Sequence, residues 1–369
     1  MRCPVLPVRL ASALRKITTF VCQSEAFMTR TNNPGKITNP PGLLEQSKKK
    51  IAVVMGGYSS EHEISLKSGQ TVLKHLPKDI YDVYPVIISL DGWYMERDNR
   101  KFPVDKNDFS VLLPEGRLTF DFVFNAIHGH PGEDGVLPAY WEMLGIPHSS
   151  SDFDKMALTF NKMYAISVVR AYGIPTAESV FLHQNDPVDT DAIIRKIGLP
   201  LFVKPNKAGS SYGISKVKTP EELLPAIEYA FTEDDEILIE EFLEGREFSV
   251  GVIKLNGTAE VFPITEIIPE NEFFDFEAKY LGKAQEVTPA RIPDDLRRRI
   301  ETTARRVYEV LDLDGVSRAE YIVRNGKPYF LEINMVPGLT EASILPQQIR
   351  AAGKSLTQVF NEIIRTNLS

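Results

Sequence analysis

The sequence predicts a mixed α/β and α+β protein: a doubly wound, parallel-stranded N-terminal unit followed by two α+β units. Three observations carry this prediction. The 369 residues exceed what one compact core of ordinary size holds, so two or three domains are expected. Short apolar runs alternate with helical periodicity over residues 48–150, the pattern of strands joined by crossover helices. From residue 245 onward, longer alternating runs follow one another around turns, as antiparallel strands do.

Taken in order, "IAVVM" after the basic 48–50 is wholly apolar and ends in Gly56-Gly57, a buried parallel strand entering a loop. A helix over 61–76 follows. Ser60 and Glu63, three apart at its start, have the spacing of a capping box. Strands at "VYPVII" and "FDFVFNAI" and a helix over 137–144 complete a domain at 48–150. One helix then runs through "MALTFNKMYAISVVRAYG", and Pro175 marks a boundary before a strand at "ESVFL". A helix over 189–197, strands "LFVK" and "YGISKV" around a glycine-serine loop, a helix over 220–231 and the strand "EILIEEFL" make a small antiparallel α+β unit at 151–244. The last unit, 245–369, has strands "REFSVGVIKL", "AEVFPITEII", "GVSRAEYIV" and "KPYFLEINM", a helix over 293–311, and two closing helices.

Residues 1–47 stand apart, first basic and apolar, then rich in Pro and Asn. Arg9, Arg15 and Lys16 interrupt the apolar core that a signal peptide requires, so the segment is read as disordered, or as lying upstream of a true start at Met28. With 43% hydrophobic and 25% charged residues the chain reads as soluble and globular. A net charge of −8 argues against nucleic acid, whose binders concentrate positive charge. No run approaches the roughly 18 apolar residues of a membrane span, so no membrane partner is expected. Both cysteines, Cys3 and Cys22, lie in the extension, which excludes a disulfide framework, a catalytic thiol and a Cys-ligated metal from the body. The cytoplasm is the expected compartment, and small molecules are the expected partners.

Four segments carry chemistry. In "VKPNKAGSSYGISKV" (203–217), backbone amides and the hydroxyls of Ser210 and Ser211 would converge on phosphate oxygens, with Lys204 as a point charge. A flexible hairpin is the competing reading, and the spacing is not that of a Walker loop. "VVMGGYSSEHEISL" (53–66) lacks the third glycine of a dinucleotide fingerprint. Its Glu61 is not needed by the capping box and sits at a crevice mouth, where a carboxylate suits a substrate ammonium. "NAIHGHPGEDG" (125–135) has histidines and acids but not the spacing of a zinc site, and is read as a tight loop with His128 facing the crevice.

The fourth segment, "GVSRAEYIVRNGKPYFLEINMVPGLT" (315–340), is the most telling. Alternation puts Arg318, Glu320 and Ile322 on one face of a strand, and Glu332 with Asn334 on one face of the next. Two carboxylates and an amide oxygen make a hard, all-oxygen set suited to magnesium on nucleotide phosphates, against the alternative of a solvated face. A two-residue turn at Asn325-Gly326 would set Glu320 opposite Leu331 and throw Glu332 to the other face. A loop with an odd residue count, with Gly326 left-handed in a bulge, is therefore expected.

On "GGYSSEHEISL", "HGHPGEDG", "KPNKAGSSYG", "IEEFLEGREFSV", "DFEAKYLG" and "LEINMVPGLT", the sequence resembles the D-alanine–D-alanine ligase family of the ATP-grasp superfamily over residues 50–367. The resemblance implies an ATP-grasp fold in which the two later domains sandwich ATP. It also implies ligation of two D-alanines through a D-alanyl phosphate for peptidoglycan precursors, with two Mg2+ (or Mn2+) ions and a homodimer. By the same resemblance Lys162, Lys204, Ser210, Ser211 and Lys279 contact ATP phosphates, and Glu240, Glu241, Phe242, Leu243 and Glu247 line the adenine and ribose pocket. Glu320, Glu332 and Asn334 hold the metals, and Arg318 with the Gly338 amide forms the oxyanion site. Glu61 takes the first D-alanine's ammonium with His128 nearby, while Ser343 and Ile344 meet the second. Tyr280 joins Glu61 and Ser210 in a latch that closes a lid over the site, with Lys279 reaching the phosphates. Glu320 departs from the family's usual aspartate. Three other readings compete: a ligase making D-alanyl-D-lactate, against which the intact "EAKY" speaks, a nucleotide-binding regulatory protein without chemistry, against which the lysines, acids and Arg318 speak, and a nicotinamide dehydrogenase at Gly56-Gly57, against which the missing third glycine speaks.

Overall fold

The computed structural model describes residues 47–207, 209, 213–255, 257–269 and 284–368. Ser210, Ser211, Lys279 and Tyr280, and with them the expected latch and the extension, lie outside the described residues.

The first sheet is built around β1 (Lys49–Gly56), whose six residues Ile51 to Gly56 are all buried. After α1 (His62–His75) come β2 (Tyr81–Ser89), β3 (Gly92–Arg97), β4 (Arg100–Asp105), β5 (Ser110–Leu113), β6 (Gly116–Leu118) and β7 (Phe122–Asn125), then α2 (Val136–Leu144). The strand order is β6-β5-β4-β3-β2-β1-β7. Only β2, β1 and β7 run parallel, and β3 to β6 extend the sheet as an antiparallel meander. The sheet is thus mixed, where an all-parallel one was expected. Side chains alternate between two cores: Ile51, Val53 and Met55 pack with Val72 of α1, while Ala52 and Val54 pack with Leu137 and Trp141 of α2. The expected capping box is absent, because α1 starts at His62 with Glu61 as its N-cap.

Residues 153–171 form two helices rather than one: α3 (Phe153–Phe160) and α4 (Lys162–Ala171). The break falls at Asn161, in an extended conformation, whose side chain caps α4 by accepting from the Tyr164 amide (3.0 Å). Next come β8 (Ser179–His183), α5 (Thr190–Ile197), β9 (Leu201–Pro205), β10 (Ser215–Val217), α6 (Pro220–Ala230) and β11 (Glu236–Glu241), with the antiparallel sheet order β10-β9-β11-β8.

The remaining described elements are β12 (Arg246–Leu255), β13 (Thr258–Val261), β14 (Thr265–Pro269), β15 (Ala284–Val287), α7 (Asp294–Val310), β16 (Val316–Arg324), β17 (Lys327–Asn334), α8 (Ile344–Ala351) and α9 (Leu356–Leu368). Their sheet runs β15-β14-β12-β16-β17, with β13 beside β12. Its buried face, including Val250, Ala319 and Phe330, packs against Ile166 and Val169 of α4 and Ile300 and Val307 of α7. Helix α9 buries Leu356, Val359, Phe360, Ile363 and Ile364, a stripe at helical spacing that joins the core beneath β1 and β7. Each such side chain contributes roughly 1.5–3 kcal/mol by leaving water.

The β16–β17 turn corrects one expectation and rescues another. Arg324 pairs with Lys327 around Asn325 (φ 53°) and Gly326 (φ 72°), a two-residue turn with both central residues left-handed, not an odd loop. Glu320 nevertheless stands opposite Glu332, because the register shifts between Glu320 and Tyr321 and leaves Leu331 over as the additional residue of β17. The odd residue is in the strand instead of the turn.

Candidate active site

The face of the large sheet opposite its core carries the expected charged residues. Register sets Gly251, Arg318 and Asn334 in one row across β12, β16 and β17, and Ser249, Glu320 and Glu332 in the next. Glu247 of β12 lies beside Ile322 on the same face. The Arg318 guanidinium donates to Glu320 Oε1 (2.5 Å) and to Ser249 Oγ (3.0 Å). Burial disfavours its charge, but Glu320, Glu332 and Glu286 outweigh this and hold it ionised. Asn334 has a buried amide nitrogen without a hydrogen-bond partner.

Two lysines face this surface. Lys162, first residue of α4, reaches Glu332 Oε2 (3.3 Å), and Lys204 on β9 reaches Glu240 Oε2 (2.5 Å). Lys204 is buried, which opposes its charge, yet Glu240, Glu332 and Glu320 together push its proton affinity above the ordinary range. Glu240, expected from the sequence in the nucleotide pocket, is here the ion-pair partner of Lys204. The Glu241 carboxylate accepts from the Glu178 amide (3.1 Å) and from Arg324 (3.3 Å), and its own amide donates to the Glu178 carbonyl (3.0 Å). Phe242 packs on Phe202 (5.9 Å) with the Lys216 ammonium over its ring, and Leu243 is buried.

The N-terminal domain closes the other side. Glu61 heads α1, and the glycine loop after β9 comes so near that a β-carbon on Gly209 would stand 2.5 Å from Glu61 Oε2. His128 is buried. The Val336 carbonyl (2.7 Å) only accepts, so the Nδ1 proton points there, and neutral Nε2 accepts from Ser68 Oγ (2.9 Å). Burial lowers the proton affinity of this imidazole, against the pull of Glu61. Ser68 Oγ in turn accepts from the Leu339 amide (3.2 Å).

Sequence reasoning missed Glu133. Its carboxylate accepts from the amides of Gly129 (3.0 Å), Met335 (3.1 Å) and Val336 (3.3 Å), and burial, then Glu61, push its pKa up to about 7. Together, His128, Ser68 and Glu133 pin the 335–339 turn that presents Gly338. Gly338 in turn abuts Ser343, the N-cap of α8: a β-carbon on it would lie 2.9 Å from Ser343 Oγ. The structure thus brings Glu61, His128, Lys162, Lys204, Arg318, Glu320, Glu332, Asn334, Gly338 and Ser343 around one cleft, with Ile344 buried behind it.

The family models for the D-ala D-ala ligase N-terminus and C-terminus match residues 50–151 and 168–365. This chain belongs to the D-alanine–D-alanine ligase family. A D-alanine–D-alanine ligase of Flavobacterium johnsoniae is 53% identical over 322 residues, covering 87% of this chain and all of the relative. Among solved structures, the VanG D-Ala:D-Ser ligase from Enterococcus faecalis superposes with a TM-score of 0.77 at 32% identity, over 87% of this chain and 100% of that one. The Bacillus anthracis D-alanine–D-alanine ligase complexed with ATP gives 0.71 at 29% identity, over 87% and 97%. The fold is accordingly that of the ATP-grasp ligases. Among the described residues no helix is long and apolar enough to cross a membrane.

Proposed function

We propose that the chain joins two D-alanines at the expense of ATP, giving D-alanyl-D-alanine, ADP and phosphate for peptidoglycan precursor synthesis. The observation that carries this reading is the convergence of Arg318, the acids of β16 and β17, and the lysines of α4 and β9 on one cleft closed by Glu61. A carboxylate of the first D-alanine attacks the γ-phosphorus of ATP, ADP leaves, and a D-alanyl phosphate forms. The second D-alanine's amine then attacks its carbonyl carbon, and phosphate departs from the tetrahedral intermediate.

Phosphoryl transfer of this kind is mostly positioning and charge neutralisation. Lys162 and Lys204 hold phosphate oxygens, and Glu240 keeps Lys204 charged. Glu61 holds the first ammonium. Arg318 and the Gly338 amide receive the oxyanion, where one donor typically contributes roughly 2.7–4 kcal/mol. Glu320, Glu332 and Asn334 would hold two divalent ions. They fit hard cations: two carboxylates are opposed by register and the Asn334 side chain adds an amide oxygen, while its unpartnered nitrogen is a donor suited to a phosphate oxygen. Among the described residues no cluster of three His, Cys, Asp or Glu side chains forms a closed metal site, so nucleotide oxygens would complete the shell. Bound there, the ions neutralise charge developing on the transferring phosphoryl group.

Cytoplasmic location and a homodimer are part of the same proposal, and both rest on the family alone. A coupled assay tests the function: ADP release should require D-alanine and match dipeptide formed, while ADP release indifferent to D-alanine would contradict it.

A further inference from the structure

Resting on the ligase reading, the acceptor amino acid sets a requirement that the residues named so far do not meet. It is a zwitterion whose ammonium and carboxylate share one carbon, so its pocket must offer opposite charges side by side. Arg318 and the N-terminal end of α8, next to Ser343, provide the positive half. Most acids near the cleft are committed elsewhere. Glu320 pairs with Arg318, Glu332 with Lys162 and Glu240 with Lys204, while Glu61 serves the first substrate. Glu133 is sealed behind the 335–339 turn, and Glu341 sits on the surface with Lys74.

Among the described residues of this sheet face, Glu286 of β15 remains, beside Glu247 of β12, which the resemblance assigns to the nucleotide pocket. It pairs with Ile267 of β14, which pairs with Glu247 of β12, which pairs with Ile322 of β16. Because directly opposed residues share a face, this register sets Glu286 on the same face as Arg318, Glu320, Glu332 and Asn334. Its carboxylate is half-buried, near enough to Arg318 and Glu320 to feel both charges. Among the described residues its hydrogen-bond partner is Gln347 of α8, whose amide donates to Glu286 Oε2 (2.7 Å) and to the Ala342 carbonyl (2.8 Å). Gln347 thereby ties Glu286 to the turn that ends at Ser343, where the acceptor carboxylate is expected.

We infer that Glu286, held by Gln347, is the carboxylate that receives the acceptor's ammonium and so selects an amino acid over a hydroxy acid as second substrate. The amine would lie between Glu286 and the acyl phosphate carbonyl, with its carboxylate toward Ser343.

Steady-state kinetics of the full-length enzyme separate this role from a structural one. Glu286→Gln keeps the shape and still accepts from Gln347. It should raise KM for the second D-alanine roughly tenfold or more, the worth of one charge-assisted hydrogen bond, and leave KM for ATP and the first D-alanine unchanged. Glu286→Asp should restore most of the loss, and in competition Glu286→Gln should form more D-alanyl-D-lactate per dipeptide. An unchanged acceptor KM in Glu286→Gln, or equal impairment of the Gln and Asp variants, overturns the inference while the ligase reading stands. A wild-type enzyme that turns over ATP without D-alanine overturns both.

Discussion

Replacing Gly209 by alanine tests whether the glycine loop and Glu61 meet in the working enzyme. The added methyl would stand 2.5 Å from Glu61 Oε2, 3.1 Å from Cδ and 3.2 Å from Oε1. Ordinary contact begins at 3.4 Å, so the carboxylate must give way by about 0.9 Å, and a misplacement on the order of 1 Å can cost about a hundredfold in rate. Glu61 is the tip of a flexible side chain, so it yields without unfolding anything, and stability should change by less than about 0.5 kcal/mol. The expected signature is a kcat/KM for the first D-alanine lower by tens to a hundredfold, with Tm nearly unchanged. Rates are measured with D-alanine varied at saturating ATP, and then with ATP varied at saturating D-alanine. Wild-type saturation by D-alanine, or a loss of rate that merely follows a loss of Tm, would refute the placement of Glu61.

Three further outcomes follow from the same geometry. Glu320→Gln removes the directly paired carboxylate of the buried Arg318 and leaves only the more distant Glu332 and Glu286, so it should cost about 3 kcal/mol in thermal or urea unfolding and abolish ATP turnover, whereas Glu320→Asp keeps the charge and most activity; wild-type turnover in the Gln variant would count against the role. Lys204→Met strands Glu240 in the interior and should raise KM for ATP while lowering Tm, and an unchanged KM would remove Lys204 from the phosphate site. Glu133 titrates near 7 when folded against 4.5 unfolded, so between these values the unfolded chain ionises first and stability falls as pH rises, by up to about 3 kcal/mol. Glu133→Gln should flatten the curve of Tm against pH over that window relative to wild type, and parallel curves would show that Glu133 does not titrate there.

Much of this fold was legible wherever one local signal dominated. Strand β12 follows directly from the alternation in "REFSVGVIKL", and α5 starts where Asp189 accepts from the Ala192 amide (2.8 Å). Other elements were hidden because the deciding contacts are tertiary or subtle. The meander of β3 to β6 consists of short strands with many exposed positions, as in Arg100–Asp105, and shows no clean period. Helical periodicity runs straight through Asn161, although its side chain both ends one helix and caps the next. The Leu331 bulge has no marker in composition, yet it decides which face Glu332 occupies. At the site, Arg318, Glu320, Glu332 and Asn334 were readable as polar residues set in apolar strands. Glu133 and Glu286 were not: one sits in a loop that reads as an exposed turn, and the other gains its meaning only from the β14–β15 register and from Gln347.

The proposed reaction turns on an acyl phosphate made from the first D-alanine on this sheet face. D-alanine labelled with 18O in its carboxylate, incubated with ATP and magnesium, tests it most directly by mass spectrometry of the released phosphate. One labelled oxygen should appear in the phosphate for each dipeptide formed, because the carboxylate oxygen that attacks phosphorus leaves with it. Unlabelled phosphate released alongside dipeptide would contradict it.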